Sequence, residues 1–517
     1  MIVLPKLFDY WAKFRPDNDA LVCEDTRYSW AEVHRMGRSL AAELQRRDVR
    51  PGDRVGILLA NSAEWGVAYV GLTMAGAVLV PLNPRFGSFE LRAIEGDADC
   101  TALITTRGAG ASLSERFDLG EGGQDSLLVA SRHDAGEAPA DLMAVFAAGD
   151  TPVPVTVAPQ DLTAIFYTSG STGLPKGTMQ THATILSYVF SYTAGLQFTS
   201  EDRALIVAPL AFTGGCLSLL IPMMLIGACC VIERSYDPAR ILMQTEKERI
   251  SFMTQVPAIW DRMPDLPGWA GADLSSLRVA MTGGAPVPVS LLERFREKGV
   301  RIRQVYGCTE IGAMACFPPF DLSMRRPETV GYPLPTLTGR VVKDGRDCAP
   351  GEVGEFWLKG SQVMTGYWRN PELTETAFED GYYKTGDLVK RDEDGAVVIV
   401  DRLKNMIISG GVNIYPAEIE RALASLDCIE ECGVFGVEDA QWGERVVAVI
   451  HGTTAIDMDA IRVEVRGLLG ALKTPRELIW SSDPLPKTVT NKIARTELAA
   501  LYVSLTGAEI ALRANTL

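Results

Sequence analysis

The stretch from Tyr167 to Gly177 combines glycines, hydroxyl side chains and a lysine. Seven of its eleven positions are Gly, Ser or Thr, and Lys176 follows them between Pro175 and Gly177. Inward-turned backbone N–H groups, hydroxyl donors and an ammonium group together suit a polyanion. The stretch lacks the Gly-x-x-x-x-Gly-Lys-Ser/Thr pattern of the common nucleotide triphosphatases. A buried-strand pattern at 162–167 precedes it, which favours a phosphate loop of an α/β protein over a flexible surface turn.

Four further segments carry glycines, acids or bases at sites where chemistry could occur. They are Thr282–Pro286, a second glycine turn; Tyr306–Glu310, after a strand-like segment; Tyr383–Asp387, at the end of a predicted loop; and Pro484–Arg495, which holds three basic residues. Taken singly, each has an ordinary structural explanation as a turn, a helix cap or a solvated surface.

The first half of the chain alternates helix and strand patterns, which must position these segments. Ser29 with Glu32 three residues later predicts a capping box, and apolar residues then repeat at helical spacing. Gly76 is expected to end a helix over 64–75. Such alternation predicts an α/β fold in which mostly parallel sheets are covered by helices. Residues 106–160 are rich in Gly, Ala, Asp and Ser, and we expect loops there.

The pattern changes after about residue 335, where shorter strands near glycine turns predict a β-rich subdomain. A charged segment follows at 401–405, and then strand–helix alternation that predicts a small α+β domain. We place the boundary at Lys404, which gives an N-terminal domain over 1–403 and a mobile C-terminal domain over 404–517.

Composition excludes several classes of function. A chain of 517 residues is expected to form two or more domains, and its net charge of −15 disfavours nucleic acid as a partner. Four histidines make a histidine-built metal site or a Ser-His-Asp triad improbable, and the ten cysteines include no Cys-x-x-Cys pair. The apolar run 216–232 is interrupted by Pro222 and Gly227, so it predicts a buried helix and strand rather than a membrane span. Without a signal pattern at the N-terminus, we expect a cytoplasmic protein.

Together and in this order, the five segments resemble the adenylate-forming superfamily, which includes acyl-CoA synthetases, adenylation domains of peptide synthetases and beetle luciferases. The resemblance runs from about residue 7 to about residue 501. It implies an enzyme that converts a carboxylate and ATP to an acyl-adenylate and pyrophosphate, then transfers the acyl group to a thiol. The residue types suit this chemistry, because a carboxylate with a pKa of about 4 is already ionised and needs no general base. Repulsion between two anions instead calls for cations and N–H donors.

The resemblance implies nucleotide-binding residues by position. Those implied to hold the β- and γ-phosphates of ATP are Thr168, Ser169, Gly170, Ser171, Thr172, Gly173 and Lys176. Those implied to surround the adenine and its neighbourhood are Tyr306, Gly307, Gly283, Gly284 and Ala285. Thr309 would donate to the α-phosphate, and Glu310 would bind Mg²⁺, which prefers oxygen ligands. Asp387 would accept both ribose hydroxyls, with Arg402 assisting.

Lys492 resembles the mobile lysine that bridges the acyl carboxylate and the α-phosphate; Lys487 does not fall at that position. With Lys492, the implied catalytic residues are Thr172, Lys176 and Glu310. Lys404 falls at the hinge position of the family. Rotation about it would withdraw Lys492 and bring Gly410 and Gly411 toward the adenylate, where they would let the pantetheine arm of coenzyme A pass.

The acyl pocket implied by the resemblance is predominantly apolar or small. Its residues are Phe212, Gly214, Gly215, Thr254, Gln255, Gly283, Gly307 and Met314. The glycines are expected to leave room for a long or broad group, so we expect a fatty, alicyclic or aromatic monocarboxylic acid. Two positions depart from the family: Phe212 stands where many members carry histidine, and Asn491 where glycine often precedes the lysine.

Coenzyme A is the expected thiol, because few residues follow Arg495 and a fused carrier domain is not expected. The alternatives are a ligase that loads a separate carrier protein, a luciferase-like oxygenase, a kinase or hydrolase that cleaves ATP at the γ-phosphate, and a non-catalytic nucleotide-binding regulator. Retention of Lys492 and Glu310 disfavours the regulator, since a sensor needs neither. The composition leaves a homodimer open.

Overall fold

The computed structural model describes residues 2–132, 138–168, 175–283, 289–409, 412–426, 428–439, 441–452, 457–471, 473–488 and 493–507. Within these ranges the strands form two seven-stranded sheets, a six-stranded sheet, a five-stranded sheet and a two-stranded pair.

Helices and strands alternate through the first part of the chain. The strands are β1 Asp19–Cys23, β2 Thr26–Ser29, β3 Arg54–Leu58, β4 Val78–Pro81, β5 Ala102–Thr106, β6 Leu127–Ser131, β7 Ala140–Asp141, β8 Leu162–Thr168, β9 Lys176–Thr181, β10 Arg203–Ile206, β11 Cys229–Ile232, β12 Phe252–Gln255, β13 Val279–Gly283 and β14 Ile302–Val305. The helices are α1 Leu4–Phe14, α2 Trp30–Arg46, α3 Ala63–Ala75, α4 Ser88–Ala98, α5 Arg107–Gly110, α6 Leu142–Ala148, α7 His182–Leu196, α8 Ile221–Leu225, α9 Pro238–Lys247, α10 Pro257–Arg262 and α11 Val289–Glu297.

Strands predominate in the next part of the chain, and helices return at its end. The strands are β15 Cys316–Phe317, β16 Tyr332–Pro333, β17 Leu337–Lys343, β18 Arg346–Asp347, β19 Val353–Gly360, β20 Phe378–Glu379, β21 Tyr382–Arg391, β22 Val397–Arg402, β23 Ile407–Ser409, β24 Val412–Ile414, β25 Glu431–Asp439, β26 Gly443–His451 and β27 Glu477–Ser481. The helices are α12 Phe320–Arg325, α13 Pro371–Ala377, α14 Pro416–Ala424, α15 Met458–Leu469 and α16 Arg495–Thr506.

The two seven-stranded sheets form the large N-terminal part of the fold. One has the strand order β7-β6-β5-β3-β4-β8-β9, with a parallel centre and antiparallel outer strands. The other has the order β14-β13-β12-β10-β11-β1-β2 and is parallel except for the β1–β2 pair. Helix α3 is almost wholly buried, because it is apolar on every side. The parallel strands β12, β13 and β14 end at one edge, where α/β proteins commonly bind ligands.

The β-rich subdomain is an antiparallel sheet of order β18-β17-β19-β21-β20, with β22 paired to β21. The last sheet has the order β24-β23-β26-β25, with β27 parallel to β26, and α14, α15 and α16 pack against it. The α/β class with a β-rich subdomain and a small α+β C-terminal domain is therefore confirmed.

Local signals in the sequence are also confirmed. Ser29 accepts from the backbone of Glu32, whose carboxylate accepts from the backbone N–H of Ser29, so the capping box at α2 is present. Gly76 ends α3 in the left-handed conformation with φ +69°. Gly227 follows α8 with φ +79°, before strand β11, as expected for the apolar run. Across the described ranges, no helix combines the length and apolar character that a membrane crossing needs.

Two expectations require correction. Residues 106–160 are not only loops: β6 pairs with β5 in the first sheet, and α6 begins at an Asp141 cap. The short apolar run 127–131 forms a strand because the edge of β5 is free to make backbone hydrogen bonds with it. Tyr383–Asp387 does not end a loop but lies inside β21, where the register shifts and Gly386 has φ +69°. This bulge bends the strand next to the candidate site.

Candidate active site

Three side chains meet in a corner, which we call the nucleoside corner: Tyr306 and Asp387, which are buried, and Arg402, which is about half exposed. Asp387 lies opposite Arg402 in the β21–β22 register, and Tyr306 directly follows β14. The Tyr306 hydroxyl donates to Asp387 Oδ2 at 2.6 Å, while Arg402 Nε lies 3.0 Å from Asp387 Oδ1. Asp387 is 3% exposed, so its charge is held by partners rather than by water.

The electrostatics of the nucleoside corner favour the protonated phenol of Tyr306 and the charged guanidinium of Arg402. Burial, with the Asp387 carboxylate beside it, raises the pKa of Tyr306 well above its usual value, so the phenol remains a donor. The same carboxylate raises the pKa of Arg402. Each carboxylate oxygen has two lone pairs, so Asp387 can still accept further hydroxyl donors. The corner can therefore hold a diol of the kind a ribose carries.

In the turn after Tyr306, hydrogen bonds hold Thr309 and Glu310 to three other segments: β9, the segment at 213 and the segment 364–367. Thr309 Oγ1 lies 2.8 Å from Thr213 Oγ1, and the Thr309 carbonyl accepts from Gln180 Nε2 at 3.3 Å. Glu310 Oε1 accepts from the Tyr367 hydroxyl at 3.2 Å, and its carbonyl accepts from the backbone of Met364 at 2.8 Å. These hydrogen bonds fix the positions of the Thr309 hydroxyl and the Glu310 carboxylate.

Gln180, Thr213 and Tyr367 were not anticipated from the sequence. Gln180 lies near the end of β9 and is 1% exposed. A polar amide within a strand pattern is the only feature of the sequence that could have indicated it. Tyr367 stands in an aromatic pair with Trp368, and Thr213 follows Phe212. None of the three belongs to a recognisable motif, because each reaches the turn from a remote part of the chain.

Gly307 serves a close backbone contact. A Cβ at this position would lie 1.8 Å from the Ala313 carbonyl oxygen, so no larger residue fits. Ala313 itself has φ +84°, in the left-handed region. Gly307 therefore closes the turn that carries Thr309 and Glu310, and the expected room for an acyl group does not arise from it.

Lys176 begins β9 opposite Thr168, at the base of the glycine-rich loop. Its ammonium lies 5.7 Å from the centre of the Tyr367 ring, a cation–π distance. Burial lowers the pKa of Lys404, and the positive charges of Arg402, Arg495 and Lys176 lower it further. Lys404 thus lies near three other cations, of which Arg402 and Arg495 are themselves paired with Asp387 and Glu420.

Asp401, next to the predicted hinge, joins the two domains. Its Oδ1 accepts from the Arg402 backbone at 2.6 Å and from Asn405 Nδ2 at 3.0 Å. Its Oδ2 accepts from the Ala417 backbone at 2.8 Å, in the first turn of α14, where a carboxylate is favoured. The residues around Lys404 therefore connect β22 directly to the C-terminal domain.

The acyl end of the cleft has an aromatic wall. Phe212 meets Phe86 edge-on, with ring centres 5.6 Å apart. A Cβ at Gly214 would meet nothing within 4 Å, so that position faces open space. At Gly215 it would lie 2.5 Å from the Pro209 carbonyl, so Gly215 serves a tight turn and does not widen the pocket.

The strand register separates Thr254 from Gln255. Thr254 pairs with Met281, which belongs to the same apolar cluster as Met314. Gln255 pairs with Thr282 and follows Met253, which packs in a different cluster on the other face of the sheet. Since successive side chains of a strand point to opposite faces, the structure places Thr254, and not Gln255, on the side of Met314. Gly283 lies close to the Val305 carbonyl, 2.9 Å from where its Cβ would be.

Part of the implied site lies outside the described residues. These residues are Ser169, Gly170, Ser171, Thr172, Gly173, Gly284, Ala285, Gly410, Gly411 and Lys492. Lys487 is described, and it pairs with Glu431 at 2.5 Å within the C-terminal domain.

The described residues converge on one chemistry. A carboxylate suited to a diol, a threonine hydroxyl and a second carboxylate follow one another from the nucleoside corner along the turn after β14. Thr213, which contacts Thr309, adjoins the Phe212–Phe86 pair, so we take these groups to line one cleft. Such a cleft can bind a nucleotide polyphosphate beside an apolar molecule.

Two family models match the chain. The model described as AMP-binding enzyme matches residues 8–368, and the model described as AMP-binding enzyme C-terminal domain matches residues 418–492.

Similar proteins and structures extend over almost the whole chain. A feruloyl-CoA synthase of Amycolatopsis is 35% identical over 94% of this chain and 96% of its own length. A 3-[(3aS,4S,7aS)-7a-methyl-1,5-dioxo-octahydro-1H-inden-4-yl]propanoyl:CoA ligase of Mycobacterium tuberculosis is 34% identical over 96% of this chain and 98% of its own. The o-succinylbenzoate CoA synthetase of Bacillus subtilis, solved with its acyl-adenylate intermediate, superposes with a TM-score of 0.84 at 28% identity, over 96% and 98% of the two chains.

Proposed function

The chain belongs to the family of AMP-binding enzymes, and from that membership we propose that it is an ATP-dependent, AMP-forming acid–CoA ligase. It joins a carboxylic acid to coenzyme A through an acyl-adenylate. The relatives named above are CoA ligases or synthetases, and this chain matches nearly their full length, which supports the assignment. The observation that carries it in the structure is the nucleoside corner beside Glu310 and Lys176.

In the first half-reaction an oxygen of the acid carboxylate attacks the α-phosphorus of ATP. A new C–O–P linkage forms, the bond to the β-phosphate oxygen breaks, and pyrophosphate leaves with the electron pair. Asp387 holds the ribose hydroxyls, and Thr309 donates to the α-phosphate. Lys176 and Lys492 reduce the repulsion between the two anions. The scarcity of histidine fits this step, because a carboxylate needs no deprotonation.

Magnesium fits the Glu310 position. Mg²⁺ is commonly bound through one or two carboxylates together with substrate phosphates rather than by an all-protein cage. Glu310 offers one such carboxylate, oriented by Tyr367, and the part of the chain that the structure describes has no cluster of three or more His, Cys, Asp or Glu residues able to hold a metal. The ion would supply charge neutralisation on the phosphate oxygens, and Glu310 would orient it.

In the second half-reaction the thiol sulfur of coenzyme A attacks the acyl carbon and gives up its proton to solvent. The acyl C–O bond breaks, and AMP leaves with that oxygen and the electron pair. We propose that the domain over 404–517 rotates about Lys404 between the two steps. Lys492 would then withdraw, while Gly410 and Gly411 approach the adenylate. The position of Lys404 supports this proposal, because Lys404 follows β22 of the β-rich subdomain and precedes β23, which belongs to the last sheet.

The acid is proposed to be an aromatic or alicyclic monocarboxylate. Two relatives support this choice, because their names specify acyl groups that contain rings. One is named for a feruloyl group and the other for a propanoyl group that carries a methyl-dioxo-octahydroindenyl ring system. The edge-on Phe212–Phe86 pair offers an aromatic wall, and open space at Gly214 accepts breadth. A fatty acid remains the alternative on the same grounds of apolar lining.

Product analysis tests the reaction. Purified protein is incubated with ATP, Mg²⁺ and a panel of acids, with and without coenzyme A, and nucleotides and thioesters are identified by mass spectrometry. AMP, pyrophosphate and an acyl-CoA are expected for one or more ring-containing acids. ADP and phosphate would overturn the proposal. Pyrophosphate release with transfer only to an added carrier protein would favour the carrier-loading alternative.

Assembly and location stay predictions. A homodimer would be detected by analytical ultracentrifugation, and a cytoplasmic location by fractionation of cells that produce the protein.

A further inference from the structure

The C-terminal end of α4 contacts the strand that leads into the glycine-rich loop and a second segment, 368–369, that packs on the strand that leaves it. The Tyr167 hydroxyl donates to Asp97 Oδ2 at 2.5 Å. The Asp97 carbonyl accepts from Trp368 Nε1 at 3.1 Å and from Arg369 Nη1 at 3.2 Å. We call these residues, Asp97, Tyr167, Trp368 and Arg369, the α4-end cluster. They lie outside the site described above.

Two members of the α4-end cluster adjoin residues of the candidate site. Tyr167 precedes Thr168, which pairs with Lys176 across the β8–β9 hairpin. Trp368 follows Tyr367, whose hydroxyl donates to Glu310 and whose ring lies beneath the Lys176 ammonium. A shift of the cluster would therefore move Lys176 and Tyr367 relative to each other.

Gly177 shows how tightly the cluster packs on the hairpin. The backbone N–H of Trp368 donates to the Gly177 carbonyl at 2.7 Å. A Cβ on Gly177 would lie 3.1 Å from Tyr167 Cζ and 3.2 Å from Trp368 Cβ. The tyrosine ring and the Cβ of Trp368 thus lie close to the backbone of the hairpin where β9 begins, and both residues are hydrogen-bonded to Asp97.

The end of α4 is itself held in place. Arg54 Nε donates to the Ala98 carbonyl at 2.9 Å, and Arg132 Nη1 lies 2.7 Å from Asp99 Oδ1. Arginines suit this position, because the C-terminus of a helix carries partial negative charge. The Arg54 guanidinium also lies 5.6 Å from the centre of the Trp368 ring. Asp97 therefore projects from a fixed support.

We propose that Asp97 is a positioning residue for adenylation, which acts through Tyr167 and Trp368 to hold the hairpin base with Thr168 and Lys176 against Tyr367 and Glu310. The inference rests on the proposed function, since it assumes that Lys176 meets the phosphates of ATP. Its physical basis is preorganisation: a cation placed correctly before binding costs less to order than one that must be ordered by the ligand. Burial raises the pKa of Tyr167, and Asp97 raises it further, so the hydroxyl stays a donor.

The test separates positioning from ordinary stabilisation by measuring the two half-reactions apart. Tyr167→Phe removes one hydroxyl and keeps the ring against Gly177. We expect the KM for ATP in pyrophosphate release to rise about tenfold, the value of one hydrogen bond to a charged group. The KM for the acid and thioester formation from supplied acyl-adenylate should stay within about twofold, because the second step does not use the β- and γ-phosphates.

Further variants test whether Asp97 acts through Tyr167. Asp97→Ala should raise the KM for ATP as Tyr167→Phe does, and the double variant should be no worse than Asp97→Ala alone. Asp97→Asn retains an acceptor oxygen, and it should restore most of the ATP affinity. Tyr28→Phe is the matched control, because it also removes a tyrosine–carboxylate bond, 3.0 Å to Glu64, remote from the cleft.

The outcomes are distinct. An equal loss in both half-reactions, additive effects of the two substitutions, or the same change in Tyr28→Phe would overturn the positioning role. An unchanged KM for ATP in Tyr167→Phe would do so as well. Failure of the proposed function would appear separately, as the absence of AMP and pyrophosphate from the unmodified protein.

Discussion

The nucleoside end and the acyl end of the cleft are built on different physical principles. At the nucleoside end, Asp387 is 3% exposed and holds Tyr306 and Arg402 at hydrogen-bond distance. At the acyl end, Phe212 meets another ring edge-on, and Gly214 faces open space. A buried charge requires defined partners at short range, whereas apolar walls tolerate changes of shape. We therefore expect the nucleotide to be recognised strictly and the acid by its size and breadth.

The largest effect on the nucleoside end is expected from Lys492→Ala. Loss of a positive charge at the reacting phosphate should slow adenylation about 100- to 1,000-fold. Thioester formation from a supplied acyl-adenylate should be spared, because the proposed rotation withdraws this lysine. The two steps are measured by pyrophosphate release and by acyl-CoA mass analysis. Equal loss of both would contradict the rotation. Lys487→Ala is the control, since that ammonium is paired with Glu431.

Asp387→Ala should lower kcat/KM for ATP about 100-fold, because it leaves Arg402 and the buried Tyr306 hydroxyl without their partner. Steady-state kinetics with varied ATP would measure this. Asp202→Ala is a matched control: Asp202 is 5% exposed and bound by Arg278 at 2.9 Å, away from the cleft. Both variants should lose stability. If Asp202→Ala lowered kcat/KM for ATP equally, the nucleoside corner would have no special role.

Gly307→Ala should lower the free energy of unfolding by about 2 kcal/mol, because its methyl group would overlap the Ala313 carbonyl and force the backbone to move. Urea denaturation would measure the change. Gly214→Ala, with open space at that position, is the matched substitution and should change stability by less than about 0.5 kcal/mol. Similar losses in the two variants would show that the tight turn is not the reason for Gly307.

The smallest effect is expected at the acyl end. Gly214→Leu should fold normally and shift the ratio of kcat/KM between small and broad acids by about tenfold toward the small acid, since apolar pockets discriminate weakly. The acid panel used for product analysis would measure it. Gly271→Leu, at another position where a Cβ meets nothing within 4 Å, should leave the ratio unchanged. An unaltered profile in Gly214→Leu would mean that the acid binds elsewhere.

Much of the architecture could be predicted from local signals. The capping box at Ser29, the glycine that ends α3 and the apolar run of β8 depend on neighbours a few residues apart. Such signals act through backbone conformation and helix or strand periodicity, which each segment encodes by itself. The regular structure in the region 106–160 was not predicted, because β6 forms a strand only by pairing with the edge of β5.

The candidate site was predictable in its chemistry but not in its contacts. The residue types at 168–176 suit a polyanion, and the resemblance of this segment with 306–310 and 383–387 to the adenylate-forming superfamily implies a nucleotide and a carboxylate. Strand register decided which of the implied residues lie on the side of the acyl pocket. Gln255, two residues after Met253, lies with it on the other face of the sheet. The role of Gly307 was decided by a carbonyl six residues later in the chain, at a turn with its own left-handed residue.

The sequence alone therefore determined the family, the α/β class and the reactive groups, because these follow from residue types and short-range order. The tertiary structure decided which groups meet. Tyr306 reaches Asp387 across 81 residues, and Tyr167 reaches Asp97 across 70. Hydrogen bonds between such distant residues depend on how sheets and helices pack, and no local pattern specifies that packing. Asp97 illustrates the point, since only the fold brings it to the loop that the sequence first revealed.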